Sequence, residues 1–119
     1  MPTGQIPIRV TAELAEEARA YAKEQGVGDS ELFKLLFQRE RRLRRLVALQ
    51  RQGRSPNRRR QTKGSAQSMD VITVYFSLEE RAEFERYVGM CGLKKSEAGW
   101  WLLEGELREH WLQRALQAA

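Results

Sequence analysis

Residues 71–80 read VITVYFSLEE, and this stretch decides the fold. In residues 71–76 every second position is apolar, which predicts a short strand with one face on a core and the other outward. Ser77 follows directly and, with Glu80 three residues later, forms the S-x-x-E pattern of a helix N-terminus. We therefore expect the chain to pass from a strand straight into a helix.

The same pattern occurs 66 residues earlier. Segment 6–49 aligns with segment 72–115 without a gap, and Thr11 takes the cap position of Ser77, although the acid three residues later is missing. In-register similarity of this kind indicates an internal repeat. The identical pairs include Glu13/Glu79, Tyr21/Tyr87, Gly26/Gly92, Ser30/Ser96, Glu31/Glu97, Leu36/Leu102, Glu40/Glu106, Arg42/Arg108 and Leu46/Leu112.

Each repeat is predicted to continue with two helices. The first helices are expected over residues 12–25 and 78–91, where Gly26 and Gly92 would end them as left-handed caps. The second helices are expected to start at Ser30 and Ser96, with these serines as capping residues. The second helices carry broad apolar faces, and their tryptophans are interpreted as core or helix-edge residues rather than as a nucleotide-stacking site. These are Trp100, Trp101 and Trp111.

One repeat has about 45 residues and would bury only about 60% or less of its unfolded surface, so it is expected to need a partner for stability. Two copies can pair their strands antiparallel while four helices cover the inner face. The predicted fold is mostly α with a short two-stranded antiparallel β-ribbon. One folded unit would contain repeat 1 (residues 1–52), a flexible basic linker (53–68) and repeat 2 (69–119). Pairing between equivalent repeats of two chains, which gives a homodimer, is an open alternative.

The composition is that of a small soluble protein, with 119 residues, 41% hydrophobic and 31% charged. No apolar run approaches the length of about 18 residues that would cross a membrane. Residues 1–10 lack the basic start and the apolar core of a signal peptide. We therefore expect a cytoplasmic protein without membrane attachment.

Positive charge is concentrated in one segment. Residues 39–63 carry a charge of +10, with Glu40 as their one acid, and the rest of the chain carries −5 of the overall +5. This concentration indicates a polyanionic partner, with a solvated helix face and linker as the alternative. The basic residues of the segment are Arg39, Arg41, Arg42, Arg44, Arg45, Arg51, Arg54, Arg58, Arg59, Arg60 and Lys63.

No residue pattern indicates catalysis. His110 is the one histidine and has no evident catalytic partner, so it is expected on a helix surface, while Cys91 is expected to be a small half-buried apolar residue. The sequence has no glycine-rich phosphate loop and no Cys/His set with metal spacing. We predict a protein that is not an enzyme and that uses neither a cofactor nor a metal.

The order of elements resembles ribbon-helix-helix proteins. A strand, a Thr/Ser cap, a helix, a Gly-x-x-x-Ser-Glu turn (residues 26–31 and 92–97) and an apolar second helix occur in two in-register copies. In this family, which includes the Arc and MetJ repressors, the two-stranded ribbon lies in the DNA major groove. The resemblance implies a fused pseudo-dimer that binds double-stranded DNA.

The resemblance also assigns roles to residues. Outward strand residues would read bases: Arg9 at guanine, Gln5 at adenine, Thr73 at either, and Tyr75 at a thymine methyl or as a donor. Pro7 and Val71 depart from the polar pattern of such strands. Phosphates would be bound at the starts of the second helices and by the linker, through Ser30, Ser96, Lys94, Lys95, Arg58, Arg59 and Arg60.

The two phosphate sites predicted at the starts of the second helices are not equivalent. Gly28 and Asp29 align with Lys94 and Lys95, so phosphate binding by repeat 1 is expected to be weaker. Linker residues 54–63 could follow the DNA backbone or enter a minor groove. Whether the helical half, residues 39–51, reaches DNA is left open.

Two different strands would read a non-palindromic site, with several molecules able to bind side by side. Fused proteins of this kind resemble accessory proteins of conjugative relaxosomes on plasmids and mobile elements, which implies a relaxase partner, DNA bending or repression of their own operon. That step is analogy, since a fold does not fix the process that it serves. The alternatives are an antitoxin-like protein-interaction module and a non-specific architectural DNA-binding protein.

Overall fold

The computed structural model describes residues 4–51 and 68–118, which form a two-stranded sheet and six helices. Within these ranges, no helix combines the length and the apolar character needed to cross a membrane. The predicted linker lies outside them, apart from Ser68. The elements are β1 (Gly4–Thr11), α1 (Ala12–Glu24), α2 (Asp29–Leu43), α3 (Arg45–Arg51), β2 (Met69–Phe76), α4 (Leu78–Met90), α5 (Lys95–Glu109) and α6 (Trp111–Ala118).

The predicted strands pair with each other as an antiparallel ribbon. Ile8 lies opposite Ile72, and Pro7 lies opposite Thr73 at the centre. The alternation is confirmed, because the inward residues are almost fully buried under the helices. Pro7 pairs with Thr73, its equivalent residue 66 positions later, and the same offset converts the pairs Gly4/Phe76, Gln5/Tyr75 and Ile6/Val74 into Val10/Asp70, Arg9/Val71 and Ile8/Ile72. The register is therefore that of a pseudo-two-fold axis through the middle of the ribbon.

The first helix of each repeat starts and ends as predicted. Thr11 Oγ1 accepts a hydrogen bond from the Leu14 N–H at 3.2 Å. Ser77 and Glu80 form the full capping box, with bonds of 3.0 and 2.8 Å. Gly26 follows α1 with φ of +78°, and Gly92 takes the same place after α4 with φ of +72°, a region that favours glycine.

The second helix of each repeat is broken, which the sequence pattern did not predict. Arg44 and His110 adopt left-handed conformations, with φ of 54° and 53°, and separate α2 from α3 and α5 from α6. Such a conformation is uncommon outside glycine, so it requires support from the surroundings. His110 is exposed, as expected, but lies at this break and stacks on Tyr21 with ring centroids 5.4 Å apart.

A buried glutamate supports each break. Glu40 is 1% exposed, and its Oε2 accepts hydrogen bonds from the Tyr87 hydroxyl at 2.6 Å and from the Leu46 N–H at 2.7 Å. Glu106 makes the equivalent bonds with Tyr21, at 2.6 Å, and with the Leu112 N–H, at 2.8 Å. Burial, and next the bond to the carboxylate, raise the pKa of both tyrosines. Each hydroxyl therefore remains a protonated donor at neutral pH.

The core lies between the ribbon and the helices, and it is not symmetric. One side is aromatic, with Phe33 and Phe37 of repeat 1 packed edge-on against Phe76 and Phe84 of repeat 2. On the other side Gly99 takes the place that Phe33 has in repeat 1. A Cβ atom on Gly99 would lie 2.4 Å from Ile8 Cγ2 and 3.1 Å from Phe33 Cε2. Phe33 thus fills space that a side chain at residue 99 would need.

Candidate nucleic-acid interface

The outer face of the ribbon places all four predicted base-reading residues together. Gln5 lies opposite Tyr75, Pro7 opposite Thr73 and Arg9 opposite Val71. The three residues of β1 are exposed, Tyr75 is 56% exposed, and Thr73 and Val71 are partly exposed. This face can present donors, acceptors and an aromatic ring to a ligand along a continuous ribbon.

The two ends of this face differ chemically. One end carries the Gln5 amide and the Tyr75 ring, while the other carries the Arg9 guanidinium beside the apolar Val71. Two equivalent strands would show the same residues at both ends. The outer face therefore has a direction along the ribbon.

Ser30 and Ser96 connect the ribbon to the second helices. Ser30 Oγ accepts a hydrogen bond from the Tyr75 N–H, and Ser96 Oγ accepts one from the Arg9 N–H, both at 2.9 Å. Each serine therefore fixes the strand of the other repeat next to the start of its own helix. Because a hydroxyl also carries one hydrogen, each serine can still donate to a phosphate oxygen.

The prediction that these serines cap their helices was wrong. The N-cap positions are Gly28 and Lys94, two residues earlier, and neither serine side chain bonds to its own helix start. The Ser30 N–H instead donates to Asp29 Oδ1 at 2.8 Å. The serine hydroxyls turn to the ribbon because an edge strand offers unpaired N–H groups there.

The start of α2 carries a neutralised acid rather than free positive charge. Arg19 donates to Asp29 at 3.2 Å, to Asp70 at 2.8 Å and to the Val71 carbonyl oxygen at 2.9 Å. The hydrogen bond from Arg19 is the main cause that holds the pKa of Asp70 below its usual value. This arginine therefore occupies the free edge of β2 next to α2, and nothing in the sequence pattern predicted that network.

The start of α5 differs, because it is basic and open. Lys94 is exposed, and Lys95 forms an ion pair with Glu85 at 2.9 Å, which lowers the pKa of that carboxyl. Together with Arg9 and Ser96 these lysines line a groove of about 780 Å³ along β1. The two helix starts therefore differ in charge, since the start of α5 carries an exposed Lys94 and the start of α2 carries the paired Asp29.

If this groove holds a phosphate, Lys94→Gln should weaken binding to all duplexes by a similar factor and reduce the salt slope by about 1. Titrations of a labelled duplex at several salt concentrations measure both quantities. Lys23→Gln, which removes the same charge from the exposed last turn of α1, is the matched control and should leave the slope unchanged. An unchanged slope for Lys94→Gln would remove Lys94 from the phosphate-binding set.

The basic segment is only partly inside the described residues. Arg58, Arg59 and Arg60 lie outside them, so their assignment to phosphates stays a prediction. In the helical half, Arg39 and Arg45 pair with Glu109, and Arg41 pairs with Glu83. These three arginines stabilise the fold. The side chains of Arg42 and Arg44 are exposed instead, and they form no ion pair or hydrogen bond with any described residue.

Groups that could carry other chemistry are not assembled into a site. Cys91 is a buried thiol whose pKa is raised chiefly by burial. Over residues 4–51 and 68–118, no three His, Cys, Asp or Glu side chains are grouped to hold a metal ion. Comparisons of the chain with protein-family models, with curated proteins and with solved structures found no match.

Proposed function

We propose that this chain is a sequence-specific double-stranded DNA-binding protein built as a fused ribbon-helix-helix pseudo-dimer. The observation that carries the proposal is the exposed outer face of the ribbon, with polar and aromatic side chains along it and a helix start tied to each edge. A two-stranded ribbon fits the major groove of B-DNA, which is about 12 Å wide. The proposed ligand is thus a duplex, which this protein would meet in the cytoplasm.

In the proposed complex Arg9 binds the O6 and N7 acceptors of a guanine, and Gln5 binds an adenine. Thr73 donates or accepts at the centre, and Tyr75 packs on a thymine methyl group or donates a hydrogen bond. Ser96 acts on Arg9 indirectly, because its hydroxyl fixes the Arg9 backbone at 2.9 Å. Ser30 holds Tyr75 in the same way.

Backbone contacts would be unequal at the two ends. Lys94, Lys95 and the Ser96 hydroxyl surround the start of α5, where free N–H groups and the helix dipole also favour an anion. At the start of α2 the Asp29 carboxylate is neutralised by Arg19 and adds no positive charge. We infer that a phosphate is held more strongly beside Arg9 than beside Tyr75.

A ribbon with different outward residues on its two strands is suited to a non-palindromic DNA site. Because Arg9 and Tyr75 occupy equivalent positions of the two repeats, a half-turn of the protein on its site would exchange a guanine reader for a thymine reader. The resemblance to relaxosome accessory proteins extends the proposal to a plasmid or mobile-element role, in DNA processing with a relaxase or in repression of its own operon. Several copies could bind side by side on a direct repeat.

Quantitative binding tests the proposal directly. Duplexes tiling the DNA around the protein's own gene are titrated against a scrambled control at two salt concentrations, while the mass of the complex is measured. A specific reader should prefer its site by about a thousandfold or more. Binding that ignores sequence and falls steeply with salt would instead indicate an architectural protein, and absence of binding would favour a protein-interaction module.

Arg9→Ala should cost about 1–3 kcal/mol on the preferred site and little on random DNA, because a base contact is lost while the phosphate contacts remain. Competition titrations with both duplexes give the two values. Gln113→Ala, on α6 and away from the ribbon, should change neither. Equal losses on specific and random DNA would show that Arg9 contacts the backbone rather than a base.

A further inference from the structure

Arginines hold the C-terminal ends of α2 and α5 together. Glu109 accepts a hydrogen bond from Arg39 at 3.2 Å and from Arg45 at 2.9 Å. The Arg39 guanidinium lies 5.0 Å from the ring centroid of Trp111, and that of Arg45 lies 5.2 Å from Trp101. These contacts bring the breaks that follow α2 and α5 to one end of the molecule.

Four further arginines at this end have exposed side chains, and these side chains form neither an ion pair nor a hydrogen bond with any described residue. The carboxylates of Glu109 and Glu83 cannot neutralise them, because both are already paired with other arginines. The chain then continues into residues 51–63, whose sequence has six basic residues and no acid. We call the four residues the distal arginine patch: Arg42, Arg44, Arg108 and Arg114.

The patch lies away from the outer face of the ribbon. Ser30 and Ser96 contact the ribbon, and Arg42 and Arg108 come twelve residues later on the same helices, about 18 Å further along the axis. Between these points the helices cover the inner face of the ribbon, where Gly99 meets Ile8. A duplex on the outer face would therefore be on the other side of the ribbon from these helices.

We propose that the distal arginine patch binds the phosphate backbone of a second DNA duplex, so that one molecule bridges two DNA segments. This inference rests on the proposed function, in which the first duplex occupies the ribbon. A guanidinium group can donate two parallel hydrogen bonds to one phosphate. Because the four arginines are distributed over the ends of α2 and α5 and over α6, they are better suited to several phosphates in a row than to a single acidic group. When both segments belong to one DNA molecule, binding of the first segment at the ribbon raises the local concentration of the second segment at the patch.

A two-duplex capture assay tests the bridge. The preferred duplex is fixed to beads, the full-length protein is added, and retention of a fluorescent random-sequence duplex is measured. Arg42→Gln/Arg108→Gln should lower retention by about tenfold, because two phosphate contacts are lost, and should change affinity for an isolated duplex by less than about twofold. Arg44 is left unchanged because of its positive φ.

The matched control is Arg9→Gln/Lys94→Gln, which removes the same charge from the ribbon side. This control should weaken binding of the isolated duplex. Retention of the fluorescent duplex should fall by the same factor as that affinity and no further. Unchanged retention in Arg42→Gln/Arg108→Gln would overturn the bridge. So would an equal loss on the isolated duplex, since the arginines would then contact the same DNA.

Added polyglutamate separates DNA from an acidic protein as the partner of the patch. If the patch captures polyglutamate in preference to the second duplex, the bridge is overturned and a protein partner takes its place. Failure of the proposed function would be seen in a different measurement, in which the wild-type protein binds the isolated preferred duplex no better than a random one. Retention of the second duplex by the patch does not depend on that preference.

Discussion

Gly99→Val is expected to lower the free energy of unfolding by about 3 kcal/mol, at the upper end of the usual cost of overpacking a core. Even the first atom of the new side chain would lie 2.4 Å from Ile8 Cγ2. That methyl group is attached to a branched Cβ and is fully buried, so it has little freedom to move away. Urea denaturation monitored by circular dichroism measures the loss.

Gly105→Ala is the matched control on the same helix. A Cβ atom there has no neighbour within 4 Å, so the gain in helix propensity should stabilise the protein by up to about 1 kcal/mol. Combining Gly99→Val with Ile8→Ala should cost less than the sum of the single changes, since the added methyls occupy the vacated space. Additive losses would show that the close contact with Ile8 is not the cause.

The contact between Gly99 and Phe33 bears on whether the repeats pair within one chain or between two chains. Phe33 and Gly99 are equivalent residues, and they meet near the pseudo-two-fold axis with a large side chain filling the space beside a missing one. Pairing of repeat 1 with itself would oppose two phenylalanines, and pairing of repeat 2 with itself would leave a cavity. This supports pairing within one chain over the homodimer, and the mass of the free protein decides between them.

Glu40→Leu is expected to cost about 3 kcal/mol of unfolding free energy, because it leaves the Tyr87 hydroxyl and the Leu46 N–H buried without an acceptor. The change should also loosen the break at Arg44. Glu40 accepts hydrogen bonds from the Arg44 N–H through its carbonyl oxygen and from the Leu46 N–H through its carboxylate, and only the second of these bonds is lost. Denaturation curves give the energy, and amide exchange at Leu46 reports the local opening.

Two further variants make this prediction specific. Glu31→Leu replaces an exposed glutamate of the same helix and should stay within about 0.5 kcal/mol of the wild type. Adding Tyr87→Phe to Glu40→Leu should recover part of the loss, because the orphaned hydroxyl is removed. A neutral Glu40→Leu would mean that water satisfies these donors and that the carboxylate is not what fixes the break.

Local signals in the sequence predicted much of this fold. The alternation in residues 71–76 gave β2 and its inward face, and Thr11, Ser77, Gly26 and Gly92 marked helix ends by chemistry that acts within one turn. The outward residues Gln5, Arg9, Thr73 and Tyr75 follow from the same alternation, so the candidate interface was predicted together with the strands.

What escaped prediction depends on contacts between distant residues. The break at Arg44 is supported by Tyr87, 43 positions away, and a propensity scale has no reason to end a helix at an arginine. A signal was present, since Glu40/Glu106 and Tyr21/Tyr87 are identical pairs, but it becomes a contact only once the helices cross. Ser30 likewise looked like a cap because its ribbon partner is 45 residues away.

The hydrogen bonds along the ribbon edges also limit association of the protein with other copies of itself. A sheet of two strands has two open edges, and exposed edges invite strands from other molecules to add on. Here the Arg9 and Tyr75 N–H groups are taken by serines, the Val71 carbonyl accepts from Arg19, and the Tyr75 carbonyl accepts from Lys34. The ribbon can therefore expose its outer face at high protein concentration without growing into a larger sheet.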